Sequence, residues 1–342
     1  MRTTAPLFLT LALTLLGCEK SESNIESTTP ADTPSTESKS TATAALPTTT
    51  ATAPTPEASP EPETSAGRVQ VTVTNPGAEP RRPLRFKLDP DKRSSLEMRM
   101  EMRMDMDVGG VTSSGGDLPQ LIATMALTPA NVSAEQATYN WRINSYAVEP
   151  SPEIPQEVRD TIAQQLKPLV GTTGTHTTDN RGRNLETSFE LPSNVTPEMA
   201  QMVGSMEEAL STLCPPLPAE AVGVGATWRT TVTTRNEDIE TTLTYTFTLT
   251  NLQGNTLYLD VDMASEGTPG PFNPPGMPPG AIGTLVASTG KGHGKVVLNL
   301  DDIVPHDSSM SSTNDTEITI EALGQQQTLK TAMTINVVVK RL

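Results

Sequence analysis

Residues 96–108 read LEMRMEMRMDMDV, and the alternation in that run decides the fold class. Met98, Met100, Met102, Met104 and Met106 fall on every second position, with Glu97, Arg99, Glu101, Arg103, Asp105 and Asp107 between them. On a helix at 3.6 residues per turn those methionines would be spread around the whole cylinder. On a strand they form one apolar stripe backed by a fully charged face. Gly109-Gly110 follows as a turn. Leu121, Ala123, Met125 and Leu127, then Tyr139, Trp141 and Ile143, repeat the period.

The second half is built in the same way. Leu243, Tyr245, Phe247 and Leu249 alternate with Thr242 to Thr250. A turn at Asn251–Asn255 returns the chain through Leu257, Leu259, Val261 and Met263. Ile318 and Ile320 precede a turn at Gly324, after which Leu329, Met333, Ile335, Val337 and Val339 share one side. One wet face and one apolar face mark antiparallel sheet. Two segments carry helical spacing instead. From Pro155 to Leu166, Val158, Ile162 and Leu166 are four apart; after Thr196-Pro197, a stripe runs through Met199, Met202, Val203, Met206, Leu210 and Leu213. The expectation is a mainly β (α+β) protein. It is either a large curved antiparallel sheet or two lobes, 67–190 and 215–342, with two helices packed in the middle. The Pro/Gly-rich stretch 266–280 reads as a long loop.

The N-terminus has a different character. Arg2 precedes a ten-residue run, Leu7–Leu16, too short to cross a bilayer but the right length for a signal-peptide core. It ends in Leu15-Leu16-Gly17-Cys18. This resembles the lipobox of bacterial lipoproteins. That resemblance implies cleavage after Gly17 and a diacylglyceryl (palmitate-type) anchor on Cys18, with residues 1–17 removed. Position two of the mature chain is then Glu19 rather than the Asp of inner-membrane retention, which by the same resemblance favours the outer membrane. Residues 18–66 are Thr, Ser, Pro, Ala and Glu with eight acids and two bases, and almost nothing to bury. They read as a disordered tether reaching roughly 40 Å.

The whole chain has 342 residues and a formal charge of −16, with 35% hydrophobic and 3% aromatic residues. An acidic chain without a basic cluster repels phosphate backbones, so nucleic-acid binding is not expected. The two cysteines serve different ends: Cys18 for lipid, Cys214 as a small buried hydrophobe.

Leu217 to Trp228 reads LPAEAVGVGATW. Similar LP-x-x-x-V-x-VG-x-x-W segments occur in a family of uncharacterised bacterial lipoproteins classed as a domain of unknown function. The strand from Leu84 to Pro90, the D-x-x-G turn at Asp179–Gly182 and the G-x-G of Gly292–Gly294 are also similar. The resemblance covers about residues 84–342. It implies a β-rich fold and no catalytic residue. In physical terms Gly223 and Gly225 permit a tight entry into a strand that Trp228 anchors.

Candidate chemistry is sparse. The Met98–Met106 stripe suits a soft sheet core, the lining of an apolar ligand groove, or thioether ligation of Cu(I). We take it as the candidate groove and expect no resident metal or cofactor. Asp301, Asp302, His306 and Asp307 read as a solvated turn, His176 as part of a polar turn, and His293 as a hairpin tip. The three histidines form no HExxH, and neither G-x-S-x-G nor a P-loop occurs. The expected role is therefore non-catalytic: binding of an envelope protein or glycan, with carriage of a lipid or other hydrophobic molecule as the alternative and hydrolysis as the remotest.

Overall fold

The computed structural model describes residues 69–150, 154–190, 214–236, 239–271, 281–322 and 324–342. These fall in the compact unit that runs from Ala66 to Leu342. The expected helix over 197–213, most of the loop at 266–280, the signal segment and the tether lie outside the described residues.

The alternating runs form strands as expected. They are β1 (Gln70–Asn75), β2 (Ser94–Val108), β3 (Val111–Asp117), β4 (Leu121–Val132), β5 (Gln136–Val148), β6 (Thr173–Asp179) and β7 (Asn184–Glu190). The second half gives β8 (Thr227–Asn236), β9 (Ile239–Gln253), β10 (Thr256–Gly267), β11 (Gly270–Pro271), β12 (Ile282–Asn299), β13 (Asp307–Ala322) and β14 (Gln325–Arg341). Gly109, Gly254 and Gly324 take positive φ in the hairpin turns. Of the two expected helices, the first is α1 (Gln156–Leu166). Its Leu166, with Leu169 beyond it, packs against Leu121, Tyr146, Val148 and Phe189.

All the described strands belong to one antiparallel sheet in the order β1-β8-β9-β10-β12-β13-β14-β2-β4-β5-β6-β7, with β3 added to β2 and β11 to β12. The single large sheet is thus the arrangement found, rather than two lobes. Its halves interleave. The last strand, β14, pairs along nearly the whole of β2, and the first strand, β1, pairs with β8 from the second half. Nor does α1 lie between halves: it covers the outer part of β5. The alternation fixes which residues share a face, but pairing across two hundred residues leaves no local trace.

One apolar core joins the two wings of this sheet. Trp228, Phe247, Leu249, Leu257 and Leu259 from β8–β10 belong to the same cluster as Met125, Tyr139, Trp141 and Ile143 from β4 and β5. Three connecting segments fill the space between, through Leu84 and Phe86, Cys214, Leu217 and Val222, and Ile303 and Val304. The VGVG segment has the structural role read from it. Gly225 has φ +82°, a Cβ at Gly223 would overlap the Ala78 carbonyl, and Trp228 is fully buried with its Nε1 donating to the Pro216 carbonyl at 2.9 Å.

The structure also corrects expectations about the polar residues. DDIVPHD is not a solvated turn. Asp302 is 4% exposed, held by Arg341 at 2.7 Å, Lys92 at 3.5 Å and the Ser94 hydroxyl at 3.1 Å, and Ile303 and Val304 beside it plug the core. His306 alone of that group is exposed. His293 is not at a hairpin tip but in the middle of β12, beside Asp262. The glycines around it mark a bend, not a turn.

Candidate functional site

That bend shapes the candidate groove. Gly290, Gly292 and Gly294 occupy alternate positions of β12 and so present one face. On that face the side chains of the flanking strands close over them. A Cβ at Gly290 would overlap the Ser265 hydroxyl of β10, and one at Gly294 would overlap the Ser309 carbonyl of β13. Asn314 of β13 donates to Ser265 of β10 at 3.4 Å, straight across Gly290. Strands two apart can touch only where the sheet folds sharply between them, and glycine permits it because no side chain fills the angle. The face is therefore concave.

The Met stripe lines one wall of this concave face. Met98, Met100, Met102, Met104 and Met106 stand opposite Val339, Val337, Ile335, Met333 and Thr331 of β14, respectively. Met98 and Met100 are also paired with Ala123 and Leu121 of β4. Met98 packs against the main core, and all five methionines are half-buried. The stripe thus runs from the filled end of the sheet toward its open end. There the opposite wall becomes polar, with Ser265, Ser288, Asn314 and Thr316 hydrogen-bonded among themselves. The reverse face of the same strands carries Asp105, Asp107, Asp315, Glu317 and Lys330 along a cleft of about 330 Å³.

The filled end contains a small enclosed site that the sequence reading does not find. Met125, Leu127, Trp141, His176, Thr187, Cys214, Ile303 and Val304 line a cavity of about 20 Å³. His176 lies on β6 opposite Tyr139 and Thr187, not in a turn. Burial lowers its pKa to about 4, so the imidazole is neutral at ordinary pH. Its Nδ1 is 3.1 Å from the Thr187 hydroxyl, which in turn donates to Asn184 Oδ1 at 3.1 Å. Cys214 is buried, as expected of a small hydrophobe, and burial raises its thiol pKa, with Asp179 and Asp302 adding to the effect. Tyr139 is pushed up to about 12 by burial and the charge of Asp302. No local signal joins these residues, because separate chain segments meet here.

The other polar candidates are structural. Asp179 receives the backbone N–H groups of Arg181 and Arg183 and the Arg183 side chain at 2.7 Å, closing the D-x-x-G turn. Among the described residues no group of three or more His, Cys, Asp or Glu is placed to hold a metal ion, and no helix is long and apolar enough to cross a membrane.

No family model matches the chain, and no curated protein matches it. Among solved structures it is similar to Pseudomonas aeruginosa OpdL, at 9% identity and a TM-score of 0.21, over 73% of this chain and 99% of that one. It is also similar to Pseudomonas aeruginosa OccK8 (OprE), at 8% identity and a TM-score of 0.15, over 73% and 98%. At such scores these likenesses carry no weight for fold detail or function.

Proposed function

We propose that the protein is a lipid-anchored lipoprotein of the bacterial cell envelope with a non-catalytic binding role. The observation that carries this reading is the run Leu7–Leu16 ending in Leu15-Leu16-Gly17-Cys18, followed by a Pro/Thr/Glu-rich tether and then a β-rich unit. Two or more acyl chains on Cys18 anchor stably, since each buried methylene contributes about 0.8 kcal/mol. Glu19 favours the outer membrane. The resemblance of the 84–342 segment to the lipoprotein family with the LPxxxVxVGxxW motif supports the same assignment. The tether lets the folded unit reach a protein or glycan partner beyond the headgroups.

The concave face is the surface best suited to that partner, with methionines on one wall and hydroxyl and amide groups on the other. Methionine is flexible and polarisable, so such a wall adapts to irregular partners. Carriage of a buried lipid is the weaker reading. The enclosed cavity holds about 20 Å³, against the ~300 Å³ or more of an ordinary small-molecule pocket. A lipid would have to lie along the open Met wall instead.

Cell fractionation of wild type and Cys18→Ala tests the anchor. Wild type is expected in the membrane fraction, extracted only by detergent, and the variant in the soluble fraction or as uncleaved precursor. Native mass spectrometry of the detergent-extracted protein addresses the second reading: co-purified lipid beyond the covalent anchor would restore the carrier role.

A further inference from the structure

Nine methionines lie among the described residues, and the cross-strand register puts all nine on the concave face. Met125 is 1% exposed inside the core, and Met98 and Met310 pack against that core. The other six are half-buried and lie outside the core clusters. We propose that Met102, Met104 and Met106 of β2, with Met333 of β14, form a site of thioether oxidation by hydroperoxides, which converts the open half of the wall from apolar to polar. The modification does not depend on the lipid anchor. Its effect on a partner rests on the reading of the concave face as the binding surface.

The neighbours of these four sulfurs suit the oxidised form. Residues directly opposite across a strand pair have Cβ atoms about 4.5–5.5 Å apart. Met104 and Met333 face each other, and Asn314 of β13 stands opposite Met333 on its other side. Met106 stands opposite Thr331, whose row continues to Thr316 and Ser288. Met102 is one residue across from Ile335, followed by Ser312. A thioether sulfur is a weak acceptor, whereas a sulfoxide oxygen is a strong one that needs a donor or water once partly buried. The hydroxyl and amide groups of the open half supply donors. Toward the filled end they give out: Met100 stands between Val337 and Leu121, and Met98 between Val339 and Ala123. A sulfoxide at those two positions would have only apolar side chains across from it.

The chemistry needs only the oxidant. A sulfur lone pair attacks one oxygen of the hydroperoxide, the S–O bond forms as the O–O bond breaks, and the remaining oxygen leaves as water or an alcohol. Sulfur is oxidised by two electrons and the peroxide is reduced by two. The product is a polar, chiral sulfoxide, which thiol-dependent reductases return to methionine. Cys214 does not compete, because it is buried and burial raises its thiol pKa, so no thiolate is presented. Each sulfoxide replaces an adaptable apolar contact with a hydrated dipole. Oxidation of the open half therefore lowers the affinity of the concave face for an apolar partner while the core below Met98 stays intact.

The test treats the detergent-extracted mature chain with limiting hydrogen peroxide and follows every methionine over time by peptide mapping and mass spectrometry. Sulfoxide is expected at Met102, Met104, Met106 and Met333 first, at Met98 and Met310 later, and at Met125 only after the others. Protein oxidised at the first four positions should keep a single cooperative thermal transition. Thr331→Val removes the hydroxyl beside Met106, so its thermal midpoint should fall further on oxidation than that of wild type. Equal rates at Met106 and Met125, an unreacted wall, loss of the transition as the wall reacts, or an equal fall in Thr331→Val would overturn the site. The wild-type map needs no variant to fold. It also reads each sulfur whether or not the concave face binds a partner, so failure of the binding role and failure of the oxidation site are told apart.

Discussion

His176 shows how one residue's surroundings set its chemistry. An imidazole in an apolar cavity without a charged partner is stable only when neutral, and its pKa of about 4 lies below the ordinary 6.5. Between those values the unfolded chain holds the proton and the folded chain does not, so stability falls as pH drops from about 6.5 toward 4. Each pH unit across that window corresponds to about 1.4 kcal/mol. Denaturant midpoints measured there should fall for wild type and fall less for His176→Gln. Equal slopes in the two proteins would mean that the ring is not desolvated. Little of this is legible in the sequence. Trp228 announces itself as an anchor because VGVG and Pro215-Pro216 precede it in the chain. The surroundings of His176 come from β4, β5, β7 and the loops at 214 and 303, so its local context suggests only a polar turn.

At the scale of elements, alternation makes the strands readable, and it places the five methionines of β2 on one face independently of any pairing. It misplaces one element. The GKGHGK run at 290–295 invites a turn because glycine is the usual turn residue. Its glycines are spaced by two, and the structure uses that spacing to fold the sheet along β12. Gly294 is the strictest of the three, since a Cβ there meets the Ser309 backbone carbonyl, whereas at Gly290 it meets only the Ser265 and Asn314 side chains. Gly294→Val should therefore destabilise strongly, by more than the ~1 kcal/mol that glycine replacement ordinarily changes in a strand. Thermal unfolding compared with Gly270→Ala, where a Cβ meets nothing, checks it. A Gly294→Val protein of normal stability would show that the bend is not needed.

The described residues form a sheet whose first and last strands pair with strands distant in sequence: β14 beside β2, and β1 beside β8. The chain must be nearly complete before these pairs can form, so folding is dominated by non-local contacts and should be slow. The connecting segments around residues 84, 217 and 303 fill one end, and the Met wall extends away from it. This division gives the filled end to the apolar core and leaves the open concave face as the proposed partner surface. The net negative charge of −16 disfavours a nucleic-acid partner and names no other. The proposed lipobox is a contiguous motif, so it can be proposed from a few residues, whereas strand order and cavity lining depend on segments far apart in the chain. The most direct measurement is the intact mass and fragmentation of the N-terminal peptide from membrane-fraction protein. A chain beginning at Cys18 and carrying diacylglyceryl on its sulfur is the predicted result; an unmodified N-terminus at any other residue, in protein free in the soluble fraction, would contradict the account.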